Sequence, residues 1–351
     1  MYAKTRSPRI SQRRGAFTLV ELMIVIVIIA ILMSFLLVGV NGALKSARRV
    51  TCTVEISNLD NAVNEFQREY GVAPPSFIIL YETGEGTGGM PPDPSWGVDT
   101  STPFAVASGN VDQYRRLSRS AIRSIWPQYN FVQDVDINGD GDTTDVFILN
   151  GAECLAFFLG GVDDRGATTT NDHGVNWQPT GFAANPQTPF APSTVVSNRR
   201  GPFMENLDGN RFVDSDGDGF PEYLDALPDQ TQPLQYFSSY DGTGYRPRGI
   251  DGVAGNSDDE SSVATFVSHY IKANGAGSGA DPAPTSPSTS WNPKSFQIIS
   301  AGFDFEFGSG GIYQEDGSFP SAGSETYASS VVRDTAHESD NITNFKGGEL
   351  N

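Results

Sequence analysis

The segment from Phe17 to Val40 constrains this chain more than any other: it is apolar for 24 residues apart from Thr18, Glu21, Ser34 and Gly39. As a helix, at about 1.5 Å per residue, it spans a hydrocarbon core of about 30 Å. Residues 1–16 carry Lys4, Arg6, Arg9, Arg13 and Arg14 and no acid. A positive flank stays cytoplasmic, which places the bulk of the chain outside. A cleavable secretory signal fits badly. Its apolar region would be shorter and its small-residue cut site would follow that region. Here Gly15-Ala16 precedes it.

No proline occurs between Phe17 and Tyr70. After Gly42 the pattern turns amphipathic, with Val50, Val54, Leu59, Val63, Phe66 and Tyr70 near one helical face. Glu55, Asn58, Asp60, Asn64 and Glu65 lie mostly on the other side. Gly71 and Pro74-Pro75 supply a stop. The pattern predicts one continuous helix about 80 Å long, its first half in the membrane and its second packed on a soluble domain. Gly39 and Gly42 are its weak points, each costing about 1 kcal/mol relative to alanine.

Within this helix Glu21 needs explaining. A carboxylate in lipid costs several kcal/mol and calls for a partner, and the segment offers no cation. A Glu near one end can also snorkel to the lipid surface. If the chain is cut just before Phe17, the new α-amino group lies four residues from Glu21. A neighbouring copy, shifted along its axis, would then satisfy the charge only in an assembly.

The stretch "RRGAFTLVELMIVIVIIAIL" (13–32) resembles the processing and methylation signal of type IV pilins and type II secretion pseudopilins. The resemblance implies that prepilin peptidase cuts between Ala16 and Phe17 and methylates the amine of Phe17. Glu21 then stands fifth in the mature chain, where the family keeps its glutamate. Family members usually have Gly immediately before the cut; here that residue is Ala16, with Gly15 one step earlier. A cut after Gly15 would make Glu21 sixth. The implied fold is α+β, a pilin-like lollipop: a long N-terminal helix packed on a small antiparallel sheet with large loop insertions. Its parts would be a leader (1–16), a transmembrane half-helix (17–40), an amphipathic half-helix (41–71) and an extracytoplasmic head (72–351). The implied setting is the inner membrane, single-pass, with the head periplasmic. The implied partners are identical copies, other pseudopilins, prepilin peptidase, and an inner-membrane assembly platform with its ATPase.

In the remainder, "AIRSIWPQYNF" (121–131) reads as a short helix ended by Pro127, "GAECLAFFLGG" (151–161) as an apolar helix framed by glycines, and "SFQIISAGFDFEFG" (295–308) as a strand running into a turn. Residues 82–103 read as a loop and 275–290 as a flexible linker.

Two acidic stretches share one spacing. Asp134, Asp136, Asn138, Asp142 and Asp145 repeat the register of Asp214, Asp216, Asp218, Glu222 and Asp225, with Gly139 and Gly219 at matching places. This is the spacing of an EF-hand calcium loop, whose alternate oxygens converge on one ion. The backbone carbonyls of Asp140 and Phe220 would fill the seventh position. Both loops end in Asp rather than Glu, and no flanking helix pair is evident, so the likeness is to isolated calcium loops such as those of dockerins. Runs of Asp, Asn and Gly also simply make solvated turns. A third candidate is implied by resemblance to the C-terminal calcium loop of major pseudopilins: Asp304 in "SAGFDFEFGSGG" (300–311) and Asp340 in "SDNITNF" (339–345), with Asn341 where a second acid is common.

The net charge is −19 overall, and the five cations of the leader leave −24 on the rest. Such a body repels phosphate backbones, so nucleic acid is a poor partner and calcium a better one. Cys52 and Cys154 are the only cysteines; they either pair in an oxidising compartment or stay as buried thiols. There is no nucleophile elbow, zinc-protease helix or phosphate loop, and the three histidines are scattered. The sequence therefore predicts no enzyme. It predicts a pseudopilin of a type II secretion-like machine, with a type IV pilin in adhesion or motility, or a membrane-anchored calcium-dependent binding module, as alternatives.

Overall fold

The computed structural model describes residues 18–86, 95–97, 111–163, 173–175, 177–204, 207–217, 219–250, 259–261, 266–272, 290–319, 326–327, 331–332 and 335–350. It divides into two compact units, Met1–Arg48 and Arg49–Asn351. The predicted loop at 82–103 and the linker at 275–290 lie mostly outside the described residues.

The first unit contains the start of helix α1 (Leu19–Tyr70). Leu19 and Phe35 are 74% and 73% exposed, and the large apolar side chains between them are exposed as well. An apolar surface of this extent has no stable place in water. The helix is long and apolar enough to cross a membrane. It runs unbroken through Gly39 and Gly42.

The second unit begins with the rest of α1. In chain order there follow β1 (Ile78–Tyr81), α2 (Val111–Ile125), β2 (Val146–Leu149), α3 (Gly151–Gly160), β3 (Phe182–Ala183), β4 (Arg199–Arg200), β5 (Phe212–Val213), β6 (Glu222–Tyr223), β7 (Gln235–Ser238), β8 (Tyr270–Ile271), β9 (Phe296–Ser300), β10 (Gly311–Ile312), β11 (Thr326–Tyr327), β12 (Val331–Val332), α4 (Thr335–Glu338), β13 (Ile342–Thr343) and β14 (Gly348–Glu349). The architecture is α+β, with small and mostly antiparallel sheets. The largest has four strands in the order β14-β13-β9-β7. Its register sets Ile342 opposite Ser300 and Tyr236 opposite Ile298. A separate antiparallel pair joins β1 to β2, with Ile78 opposite Leu149.

Both faces of the four-stranded sheet are covered, because side chains alternate across a strand. Phe296 and Ile298 belong to the main core with Tyr236 and Ile342. Ile299 belongs to a second, smaller core with Phe237, Tyr245, Tyr270 and Leu350. Gln297, on that second side, is buried and fully used: its amide oxygen accepts from Tyr270 N–H, and its NH2 donates to the carbonyls of Tyr270 and Trp291.

From Arg49 onward α1 buries Cys52, Ile56, Leu59, Val63 and Phe66, with Tyr70 half-buried. Their spacing alternates between four and three residues, which is one straight helical stripe. This corrects the predicted face. Val50 and Val54 are 58% and 52% exposed, while Glu55, placed on the polar side by pattern, is 7% exposed. Glu55 is buried because it forms an ion pair with Arg211. That guanidinium also lies 4.8 Å from the Tyr223 ring centre. Burial pushes the Glu55 carboxyl up against the opposing pull of Arg211.

Helix α3 is buried along its whole length. Asn150 caps it, accepting from Ala152 and Glu153 N–H, while Glu153 accepts from Asn150 N–H to complete a capping box. The framing glycines have a steric cause. A Cβ on Gly151 would come within 2.0 Å of the Tyr236 carbonyl oxygen, and one on Gly161 (φ +87°) within 2.2 Å of the Gly181 backbone. Helix α2 ends at Ile125, as expected ahead of Pro127, but starts ten residues before the predicted Ala121.

Phe66 packs edge-on to Phe158 and Phe203, with ring centres 5.7 and 5.2 Å away. Phe66→Ala should cost about 3–5 kcal/mol and Val54→Ala no more than about 0.5 kcal/mol. Urea unfolding of the full chain in detergent, followed by tryptophan fluorescence, measures both. The reverse ranking would mean that the Val54 stripe is the packed one.

Glu260 is buried and accepts from the Tyr240 hydroxyl at 2.7 Å. Burial pushes its carboxyl up to about 7 from an ordinary 4.5. The folded state therefore keeps a proton that the unfolded chain releases earlier. The stabilisation is complete below the unfolded value and disappears as pH rises through about 7, by on the order of 3 kcal/mol. Glu260→Gln should flatten the fall in stability between about pH 5 and pH 8, read by the same unfolding assay. An unchanged slope would show that Glu260 does not titrate there.

Candidate functional site

The processing residues Gly15, Ala16 and Phe17 lie outside the described residues. Just after them, Thr18 N–H and Thr18 Oγ1–H both donate to Glu21 Oε2 at 2.9 Å, and Glu21 N–H donates to Thr18 Oγ1 at 3.2 Å. This reciprocal pair closes the first turn in the manner of a capping box. Glu21 thus has hydrogen-bond partners within its own helix. Both donors are neutral and act on the same oxygen, so the charge itself is not offset.

In the first acidic loop five side chains each give one oxygen to a backbone N–H. Asp134 accepts from Gly84 N–H (2.8 Å), Asp136 from Gly139 N–H (2.6 Å), Asn138 from Asp140 N–H (3.1 Å), Asp140 from Asp142 N–H (2.9 Å) and Asp142 from Thr144 N–H (2.9 Å). Asn138 NH2 donates to Asp145 at 3.2 Å. A residue that sequence reasoning missed enters from the end of β1. Glu82 is fully buried, and its two oxygens accept from Ile137 (2.5 Å), Asn138 (3.3 Å) and Asp145 (3.4 Å) N–H groups. Glu82, Asp142 and Asp145 each place an oxygen within 4.8 Å of the others. Burial pushes the Glu82 carboxyl up to about 7. Burial, followed by the charges of Asp142 and Asp140, raises Asp145.

The second acidic loop joins β5 to β6, and Asp218 within it lies outside the described residues. Asp214 accepts from Gly217 N–H at 2.8 Å and Gly219 N–H at 3.2 Å. The Phe220 ring is buried against Phe147, Phe157 and Trp177 and anchors the loop. Asp225, expected to close the loop around an ion, faces elsewhere. It accepts from Leu227 N–H (2.8 Å), the Gln230 amide (3.0 Å) and the Ser300 hydroxyl. Instead Asp216 and Glu222 come together with Glu153 of α3, their oxygens within 4.8 Å of one another. No local pattern points to Glu153, which in sequence is a helix-capping residue.

At the C-terminal candidate, Asp340 accepts from Phe303 N–H (2.7 Å) and Asp304 N–H (3.1 Å), which brings the two predicted acids side by side. Gly302 (φ +71°) lets the turn approach, since a Cβ there would meet the Asp340 carbonyl at 2.3 Å. Burial raises the Asp340 carboxyl. His337, which sequence reasoning left out, sits between two carboxylates: Nδ1 is 2.7 Å from Asp304 and Nε2 is 3.4 Å from Glu306. Asn341 is fully buried and donates to the Tyr270 hydroxyl (2.9 Å) and the Phe307 carbonyl (2.8 Å).

Cys52 and Cys154 are both free and buried. The disulfide alternative is not formed: Cys52 Sγ faces Ser300 Oγ at 3.7 Å, and Cys154 Sγ faces the Leu149 carbonyl at 3.5 Å. Burial raises both thiols well above their ordinary range. Neither should react with iodoacetamide in the native full chain, and both should react after denaturation. Mass spectrometry counts the adducts; native labelling at either position would contradict the buried placement.

Residues 11–37 match the family described as the prokaryotic N-terminal methylation motif. No curated protein and no solved structure is significantly similar to the chain. The chain carries a prepilin-type signal of the kind found in type IV pilins and pseudopilins, and the helix that follows is long and apolar enough to cross a membrane. Such a signal points to a structural subunit processed by prepilin peptidase.

Proposed function

We propose that this protein is a structural subunit of a type II secretion-like pseudopilus, assembling through its N-terminal helix to support protein export. The observation that best supports this is a single carboxylate, Glu21, in an otherwise apolar and exposed stretch of helix within the prepilin signal. In this reading, prepilin peptidase cuts between Ala16 and Phe17 and methylates the new amine. The helix then rests in the inner membrane, with the head periplasmic. Thr18 meets the hydrogen-bonding needs of one Glu21 oxygen. The charge needs a cation because an unpaired ion in lipid is costly and a paired one much less so. The amine of Phe17 in an adjacent copy supplies it. Subunits are thereby held in register along the fibre, together with other pseudopilins. An assembly platform and its ATPase drive growth from the membrane.

Glu21→Ala should leave the protein in the membrane fraction, abolish chemically cross-linked multimers and stop export. Unchanged multimers and export would overturn the proposal. Intact-mass analysis of the mature chain should show methylated Phe17 as the first residue. A functional protein that retains residues 1–16 would equally refute it. Long surface filaments of this chain in electron micrographs would assign it to a pilus instead.

A further inference from the structure

We propose that Glu153, Asp216 and Glu222 hold one calcium ion that ties the β5–β6 loop to the first turn of α3. The three side chains place oxygens within 4.8 Å of one another. Glu153 and Glu222 are both fully buried. A second observation points to a ligand. Glu222 Oε1 is inaccessible and has no hydrogen-bond partner among the described residues, whereas Oε2 accepts from Ser215 N–H at 2.9 Å. A buried carboxylate oxygen without a donor carries its full desolvation penalty unless it meets a proton or a cation. Burial first, then the Asp216 charge, push the Glu222 carboxyl up to about 8. The first acidic loop differs on this point, because both oxygens of Glu82 already accept backbone N–H groups.

The chemistry of the donors selects the ion. All three are hard carboxylate oxygens with no imidazole or thiolate among them, a set suited to calcium or magnesium and poorly suited to zinc or copper. Magnesium demands near-ideal octahedral geometry and usually keeps several waters beside one or two carboxylates, whereas calcium accepts many oxygen ligands in a flexible shell. Three protein carboxylates converging on one point suit calcium better. Asp216 is exposed and provides the route of entry.

The arrangement differs from the self-contained loop that the spacing suggested. The residue expected to close that loop, Asp225, is bonded to Ser300, Gln230 and Leu227, and Glu153 arrives from a separate helix. The site would cross-link two elements of the head that lie far apart along the chain. It is independent of the assembly proposal, since neither Glu21 nor the membrane helix takes part.

Equilibrium dialysis of the full chain in detergent against radioactive calcium at neutral pH tests this. The wild type should bind calcium with a dissociation constant no weaker than about 1 mM, the upper end for extracellular sites. Asp216→Asn and Glu222→Gln should each remove one equivalent or weaken it at least about 10-fold. Asp142→Asn, in the other loop, should leave that equivalent in place. Asp216 is exposed, so its variant should fold even if Glu222→Gln does not; circular dichroism confirms folding. Calcium should raise Tm for the wild type by more than for Asp216→Asn. Absence of calcium binding in the wild type, or undiminished binding by a folded Asp216→Asn, would overturn the proposal.

Discussion

The second unit depends on one contact: the stripe Cys52, Ile56, Leu59, Val63 and Phe66 pressed into the main core. That face meets the four-stranded sheet at several points. Cys52 faces Ser300 of β9, Asp60 accepts from the Asn344 amide at 2.8 Å, and Arg49 pairs with Glu349 of β14. Strands of two to five residues are too short to hold a sheet by themselves. The helix adds its apolar stripe to the same core that Tyr236 of β7, Phe296 and Ile298 of β9 and Ile342 of β13 enter.

The parts legible in the sequence were those governed by local rules. The unbroken helix follows from its apolar run and missing prolines. The end of α2 follows from Pro127, and α3 from its flanking glycines. Strand β9 follows from the alternating stretch that opens residues 295–308. The failures came where distant residues decided the outcome. Val50 and Val54 look like better core residues than Cys52 and Glu55, yet Arg211 and Ser300 determine which side is buried. The acidic loops were visible as loops, but Glu82 and Glu153, which complete the two carboxylate clusters, arrive from other elements. Asp225 matched a spacing and faces a different partner. Spacing reports what a loop can do alone and is silent about what folds against it.

The head also concentrates acid where water is excluded. Glu82, Glu222 and Glu260 are buried, and burial lifts all three to about 7 or 8. In a chain with a net charge of −19, repulsion across the surface adds to the difficulty of ionising them. All three groups work in the same direction, favouring the folded state in mild acid. A cation at the Glu222 cluster would act against that trend at neutral pH.

The separate burial of the two sulfur atoms has a practical consequence. With both thiols buried, the native chain should serve as a cysteine-free background, with no need to delete either residue and disturb the core. A single cysteine introduced on the outward side of α1, for example in place of Val54, would be the only reactive thiol. Bridges formed between such sites would then map which subunits lie next to one another, rung by rung.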